Sequence, residues 1–147
     1  MSLRERLESE MKDAMRARDD LRLSTVRLVR SAVKNREIDQ RLVLDDSGIS
    51  EVIASLAKQR RESIRMFGEA GRQDLVDKEE RELQVLLGFL PRQMTREEVT
   101  ALAAAAIAES GAQGARDMGK VMKAMMPHVT GRADGKMVSE VVKELLA

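Results

Sequence analysis

Apolar residues recur every three to four positions along most of the chain, which is the period of an amphipathic helix. No segment alternates apolar and polar residues in the manner of a strand. We therefore expect an all-α fold of about seven helices. The first begins with the capping-box pattern of Ser2 and Glu5, and the fifth repeats that pattern with Thr95 and Glu98.

The segment Pro91-Arg92-Gln93-Met94 is the best candidate for a domain boundary, because it separates the fourth and fifth predicted helices. It predicts an N-terminal helical subdomain of residues 1–92 and a C-terminal three-helix subdomain of residues 93–147. The first part holds 19 basic and 18 acidic residues and the second holds seven of each, for a net charge of +1. Neither part is basic as a whole, so any binding to nucleic acid must use a local patch.

The sixth predicted helix has one apolar face and one cationic face. On a wheel of about 100° per residue, Met122, Met125 and Met126 lie within about 80° of Met118. The opposite side holds Arg116, Lys120 and Lys123. The methionines predict a buried face, and we expect Pro127 and the only histidine, His128, to lie in the loop that follows.

The stretch from Arg116 to Lys136 holds five basic and two acidic residues. Gly119 removes a side chain beside the cationic face and would allow close approach of a ligand. The segment from Gly131 leads into a helix N-terminus, where free amides favour an anion such as phosphate. The candidate nucleic-acid-binding residues are Gly119, Lys120, Lys123, Arg132 and Lys136.

The residue types of the chain give little indication of catalytic activity. The chain has no cysteine, and a lone histidine lacks the partners that acid–base or metal chemistry needs. Phosphate-binding glycine motifs are absent, and the acids Asp77, Glu79, Glu80 and Glu82 are interpreted as a solvated, ion-paired surface. We expect no catalytic residue, cofactor, metal or small-molecule substrate.

The location predicted from the sequence is the cytoplasm. The N-terminal residues from Met1 to Arg6 enter a charged amphipathic pattern without the apolar core of a signal peptide. No apolar run approaches the roughly 20 residues that cross a bilayer, so no membrane partner is expected.

Several motifs resemble the GatB/YqeY family over essentially the whole chain. The tail-domain motifs are Asp117-Met-Gly-Lys-Val-Met-Lys123 and Gly131-Arg-Ala-Asp-Gly-Lys136. Upstream, the stretches that resemble the stand-alone YqeY-like proteins are Leu21-Arg-Leu-Ser-Thr-Val-Arg27, Lys58-Gln-Arg-Arg-Glu-Ser-Ile64, Ala70-Gly-Arg-Gln-Asp-Leu75 and Phe89-Leu-Pro91. The resemblance implies an all-helical fold with two subdomains.

The resemblance also implies a link to tRNA. In GatB, a subunit of the glutamine-dependent tRNA amidotransferase, the related tail contacts the tRNA elbow, whereas catalysis uses other domains and a partner amidase. A carbon–nitrogen ligase activity with glutamine as amido-N-donor therefore describes the relatives' complex. This chain also departs from that tail at Ala133-Asp134-Gly135, where the tail tends to have Ala-Asn-Pro.

Three hypotheses about function follow. The first is a non-catalytic tRNA- or RNA-associated accessory protein that binds by shape and phosphate contacts. The second is a helical adaptor for a protein such as an amidotransferase or synthetase subunit, which would use Arg27, Arg30 and Lys34 or an exposed part of the methionine stripe. The third is a component of an amide-transfer complex.

Overall fold

Seven α-helices and no strands make up the computed structural model, which describes residues 1–147, so the all-α prediction is confirmed. The helices are α1 (Leu3–Ala17), α2 (Asp20–Gln40), α3 (Asp46–Glu69), α4 (Gln73–Leu87), α5 (Arg96–Ser110), α6 (Met118–Val129) and α7 (Gly135–Leu146). One 3₁₀ turn, Ala115–Asp117, precedes α6. The chain divides into two compact units, Met1–Leu90 and Pro91–Ala147. None of the helices is long and apolar enough to span a membrane.

Most helices begin at a side-chain cap. The Ser2 hydroxyl accepts a hydrogen bond from the Glu5 backbone N–H at 3.1 Å, and the Thr95 hydroxyl accepts one from Glu98 at 3.2 Å. The other helices capped by a side chain are α2, α3 and α7, which use Asp19, Asp45 and Asp134. Each cap satisfies a backbone donor that the helix leaves free, and is worth about 1 kcal/mol.

The first unit is built on a hairpin of α1 and α2. The two helices run antiparallel, because Arg4 at the start of α1 pairs with Glu37 near the end of α2 at 2.6 Å, and Glu10 pairs with Arg22 at 2.9 Å. Helices α3 and α4 complete the unit. Its core includes Leu7, Val26, Val29, Val33, Ile49, Ile53, Val85, Leu86 and Phe89.

An ion-pair cluster links α3 to α4 in this unit. The Arg60 Nε atom lies 2.8 Å from a Glu82 carboxylate oxygen and 3.2 Å from one of Glu79. Glu82 is buried and Glu79 is half-buried, so the prediction of a solvated surface is wrong for these two acids. Both lie on the side of α4 that packs on α3, since Glu79, Glu82 and Leu86 follow helical spacing.

The second unit packs α5, α6 and α7 around one core. Small residues on α5, such as Ala103 and Ala106, meet larger side chains on the other two helices. The α6 and α7 contribution consists of Val121, Met125, Val129, Val138, Val141, Val142 and Leu146.

Helix α6 continues through Pro127 and His128, so the prediction of a loop at these residues is wrong. Proline removes the bond to the Lys123 carbonyl, but both residues are exposed, and water can satisfy that carbonyl. The buried residues Val121, Met125 and Val129 keep helical spacing through this turn. Burial of Val129 thus favours the helix despite the proline.

Candidate nucleic-acid interface

The outer face of α6 presents three of the predicted site residues. Gly119, Lys120 and Lys123 are all exposed and fall within an arc of about 100°. The opposite side holds the buried Val121 and Met125. The core therefore fixes which way the two lysines point, and replacing them removes charge without opening the core.

Met126 lies on this outer side as well, since 46% of its surface is exposed. The sequence interpretation placed it on the buried methionine face, and that placement is wrong. Met125 has 1% exposure, whereas Met118 and Met122 are half-buried against the core. An apolar, flexible side chain thus lies one helical turn from Lys123 on the surface.

Neither the backbone conformation nor the packing within the chain requires glycine at position 119, where Gly119 lies on α6. Its backbone φ is not positive, and a Cβ added there would meet nothing within 4 Å. Glycine inside a helix is less favourable than alanine by about 0.5–1 kcal/mol. Its effect in this structure is to keep the surface low beside Lys120 and Lys123.

Arg132 is half-buried in the loop between α6 and α7 and joins that loop to the segment before α5. Its Nε donates a hydrogen bond to the Arg92 carbonyl at 3.3 Å, and its own carbonyl accepts one from the Met94 N–H at 2.7 Å. Arg92 in turn donates two hydrogen bonds of 3.1 Å to the Glu98 carboxylate. These bonds are the main reason that the pKa of Glu98 is lowered, with a smaller contribution from the charge of Arg132. Arg132 therefore already makes a hydrogen bond within the protein that holds the loop between α6 and α7 against the segment before α5.

Lys136 is exposed in the first turn of α7. The half-buried Asp134 caps that turn, and its carboxylate accepts a long hydrogen bond of 3.4 Å from the Lys136 backbone N–H. A carboxylate thus already lies at the helix end where the sequence analysis expected an anion. The side chain of Lys136, rather than the helix terminus, is the feature left for a ligand.

Ion pairing separates the cations of the second unit into two groups. Arg92 pairs with Glu98, and Arg96 lies 3.0 Å from Glu144 and 3.8 Å from Glu140. No carboxylate lies within 4 Å of the cationic groups of Arg116, Lys120, Lys123 and Lys136, nor of Lys143 on α7. Arg116, in the 3₁₀ turn before α6, was not among the candidate site residues, although its wheel position already places it with the two lysines.

The cations of the second hypothesis lie in the first unit. Arg27, Arg30 and Lys34 are exposed on α2 and line a groove of about 650 Å³ against α1. No group of three or more histidine, cysteine or acidic residues is arranged to hold a metal ion.

Together, the fold and this site define a small all-helical protein with an unpaired cationic surface on its C-terminal unit. The model of the family described as Yqey-like protein matches residues 4–146, and the chain belongs to that family. This confirms the resemblance to stand-alone YqeY-like proteins.

The curated relatives carry the name "Altered inheritance of mitochondria protein 41, mitochondrial". The protein of Pyrenophora tritici-repentis is 32% identical over 144 residues, covering 96% of this chain and 79% of the relative. The protein of Kluyveromyces lactis is 42% identical over 99 residues, covering 65% and 53%. That of Eremothecium gossypii is 40% identical over 85 residues, covering 57% and 46%. The chain thus spans only about half the length of the last two relatives.

These names contradict the prediction of a cytoplasmic location, because the relatives are designated mitochondrial. The error has a simple source. The lack of an apolar signal-peptide core argues against secretion, but it does not distinguish the cytosol from the mitochondrion, whose transit peptides are amphipathic and rich in arginine.

Proposed function

We propose that this protein is a non-catalytic tRNA- or RNA-associated accessory protein. In this proposal Lys120, Lys123 and Lys136 contact phosphates, Arg116 extends the same surface, and Gly119 allows the RNA backbone to approach. Arg132 is assigned to the same region, where it holds the loop between α6 and α7 in place.

The observation that supports this function best is the difference in ion pairing within the second unit. Arg92 and Arg96 have carboxylate partners, whereas the cations on and around α6 have none. An unpaired exposed cation keeps its full attraction for phosphate, and neutralising phosphates releases counterions, which drives binding. The local excess of charge is thus available to a ligand.

The mode of binding follows from what the chain lacks. With two phenylalanines and no tyrosine or tryptophan, it offers almost nothing on which bases could stack. Recognition would depend on the backbone and shape of folded RNA rather than on unpaired bases. This favours a structured RNA such as tRNA over a single strand.

The test measures binding of labelled tRNA to the purified chain over a series of salt concentrations. Lys120→Ala with Lys123→Ala should weaken binding on the order of tenfold at moderate salt. The log–log salt slope should become shallower by roughly 0.7 to 0.9 for each phosphate that the variant no longer neutralises. Circular dichroism should show an unchanged melting temperature, since both side chains lie opposite the core.

Two controls make this test specific. Lys143→Ala removes an exposed cation of α7, and Arg27→Ala with Arg30→Ala removes two from the first unit. Neither should change tRNA binding by more than about twofold. If the Arg27 and Arg30 pair abolishes binding and the Lys120 and Lys123 pair does not, the proposed site is wrong. If the wild type binds tRNA no better than random duplex, the adaptor interpretation replaces this one.

A further inference from the structure

The groove between α1 and α2 lies in the first unit and is independent of the proposed RNA surface. Its α1 wall runs from Arg4 to Met11 and its α2 wall from Arg27 to Glu37. At 1.5 Å per residue the longer wall extends about 15 Å, which is the length of about ten helical residues. With a volume of about 650 Å³, it is large enough to seat side chains of a partner.

The two carboxylates of the groove already have cationic partners. Glu37 pairs with Arg4 at 2.6 Å and accepts a hydrogen bond of 2.8 Å from the Leu44 backbone N–H. Glu8 lies 3.5 Å from the ammonium group of Lys12. Neither acid is therefore left to neutralise the cations of the α2 wall.

Three cations of the α2 wall have no carboxylate partner: Arg27, Arg30 and Lys34. They fall within an arc of about 60° and are separated by about 4.5 Å and 6 Å along the helix axis. Arg30 instead contacts the Met11 sulfur, which lies 2.8 Å from its Nη1. The result is a straight row of positive charge along one edge of the groove.

The floor beneath this row is apolar. It consists of Leu7 from α1, Val33 from α2 and Ile49 from α3, which are 1–4% exposed, and the half-buried Met11 lines the groove with them and offers the accessible apolar surface. Methionine is flexible and adapts to the shape of a partner. A ligand that fits this groove needs both negative charge and a small apolar surface.

We infer that the groove binds an acidic amphipathic helix of a partner protein. Carboxylates three or four residues apart on such a helix match the axial spacing of Arg27, Arg30 and Lys34, and its adjoining apolar side chains would cover Met11. RNA fits less well, because a sugar–phosphate backbone would pair with the cations and offer no apolar group to the half-buried Met11.

The experiment uses the full chain and a fluorescein-labelled synthetic peptide of about 16 residues. The peptide forms an amphipathic helix with glutamates at i, i+3 and i+7 beside a stripe of leucines, and a matched peptide has glutamine for each glutamate. Fluorescence anisotropy should show saturable binding of the acidic peptide. The glutamine peptide should bind at least tenfold more weakly, since it cannot pair with the cations.

A charge-matched pair of variants locates the site. The chain with Arg27→Gln, Arg30→Gln and Lys34→Gln should bind the acidic peptide about tenfold more weakly. A control with Lys58→Gln, Arg81→Gln and Lys143→Gln, all exposed and outside the groove, should stay within twofold of wild type. Circular dichroism checks that both variants are folded.

Three outcomes would overturn the inference: no saturable binding of the acidic peptide, equal binding of the two peptides, or equal effects of the two triple variants. If the groove variant fails to bind tRNA and still binds the peptide, the row is assigned to RNA. Failure of the proposed RNA function is a separate result, because Lys120→Ala with Lys123→Ala should leave peptide binding unchanged.

Discussion

The ion-pair cluster around Arg60 allows a stability prediction. The sequence pattern treats Glu79 and Glu82 as solvated, whereas the structure shows them largely buried and paired with Arg60. Arg60 lies within 3.2 Å of both Glu79 and Glu82, yet its Nε and the Glu79 Oε2 atom have no aligned hydrogen-bond partner. Replacing Arg60 with methionine keeps much of the length of the side chain and removes its charge. The two carboxylates, three residues apart on α4, would then face each other with only Lys78 nearby, 3.9 Å from Glu82.

The burial of the three side chains determines how much free energy of unfolding the substitution Arg60→Met should cost. Breaking a fully buried ion pair costs about 3–5 kcal/mol, whereas an exposed pair contributes about 0–1 kcal/mol. The side chains of Arg60, Glu79 and Glu82 retain 19%, 17% and 12% of their exposure, so solvent screens part of the penalty. We expect Arg60→Met to lower the free energy of unfolding of the first unit by about 2 kcal/mol. For a unit of this size that corresponds to about 10 °C in melting temperature.

Far-UV circular dichroism in urea and on heating is the appropriate assay, because the chain has no tryptophan or tyrosine to report by fluorescence. Arg81→Met on the exposed face of α4 is the matched control and should change stability by less than about 0.5 kcal/mol. The triple variant Arg60→Met, Glu79→Gln and Glu82→Leu should recover most of the stability, since a poorly aligned buried pair is often replaced by apolar groups without cost. Equal stability of the Arg60 and Arg81 variants would show that the cluster is solvated after all.

Two further predictions concern single side chains. Met125→Ala should destabilise the second unit by about 3 kcal/mol and Met126→Ala by less than about 0.5 kcal/mol in thermal melts, because only Met125 is buried. The pKa of Glu37 is held below its ordinary value of 4.5, first by the Leu44 backbone N–H and then by Arg4. A lowered pKa in the folded state contributes stability above the unfolded value, and that stability disappears as the pH falls. Between about pH 5 and pH 3 the wild type should therefore lose more stability than Glu37→Gln in urea titrations.

Local signals account for most of what could be predicted of the fold. The caps at Ser2 and Thr95 depend only on residues three positions away, and in both the hydroxyl accepts the backbone hydrogen bond that the capping-box pattern predicts. Pro127 was misinterpreted because proline is a strong local signal against helix interiors. The competing signal was Val129, which continues the buried stripe one turn further and whose burial depends on packing against other helices.

For the candidate site, too, some features follow from the local sequence and others depend on distant segments. The exposure of Lys120 and Lys123 follows from their position opposite the apolar stripe of their own helix. Whether a cation is free depends on other segments: Arg96 finds its partners on α7, and Arg132 contacts a carbonyl 40 positions earlier in the chain. Charge patterns along one helix therefore predicted which cations are exposed, but they did not predict which are paired.

Pairing is also what makes the charge distribution of this protein informative. A net charge of +1 describes a nearly neutral chain, and an average over either unit hides the surfaces that a ligand would meet. Among the cations that have no carboxylate partner, one group lies on and around α6 and another lines the groove beside α2. The first lies on an exposed helix face next to a glycine, and the second borders an apolar floor. Because an extended phosphate backbone suits an open face and an amphipathic helix suits a groove, the two sets of cations predict different partners and can be removed independently.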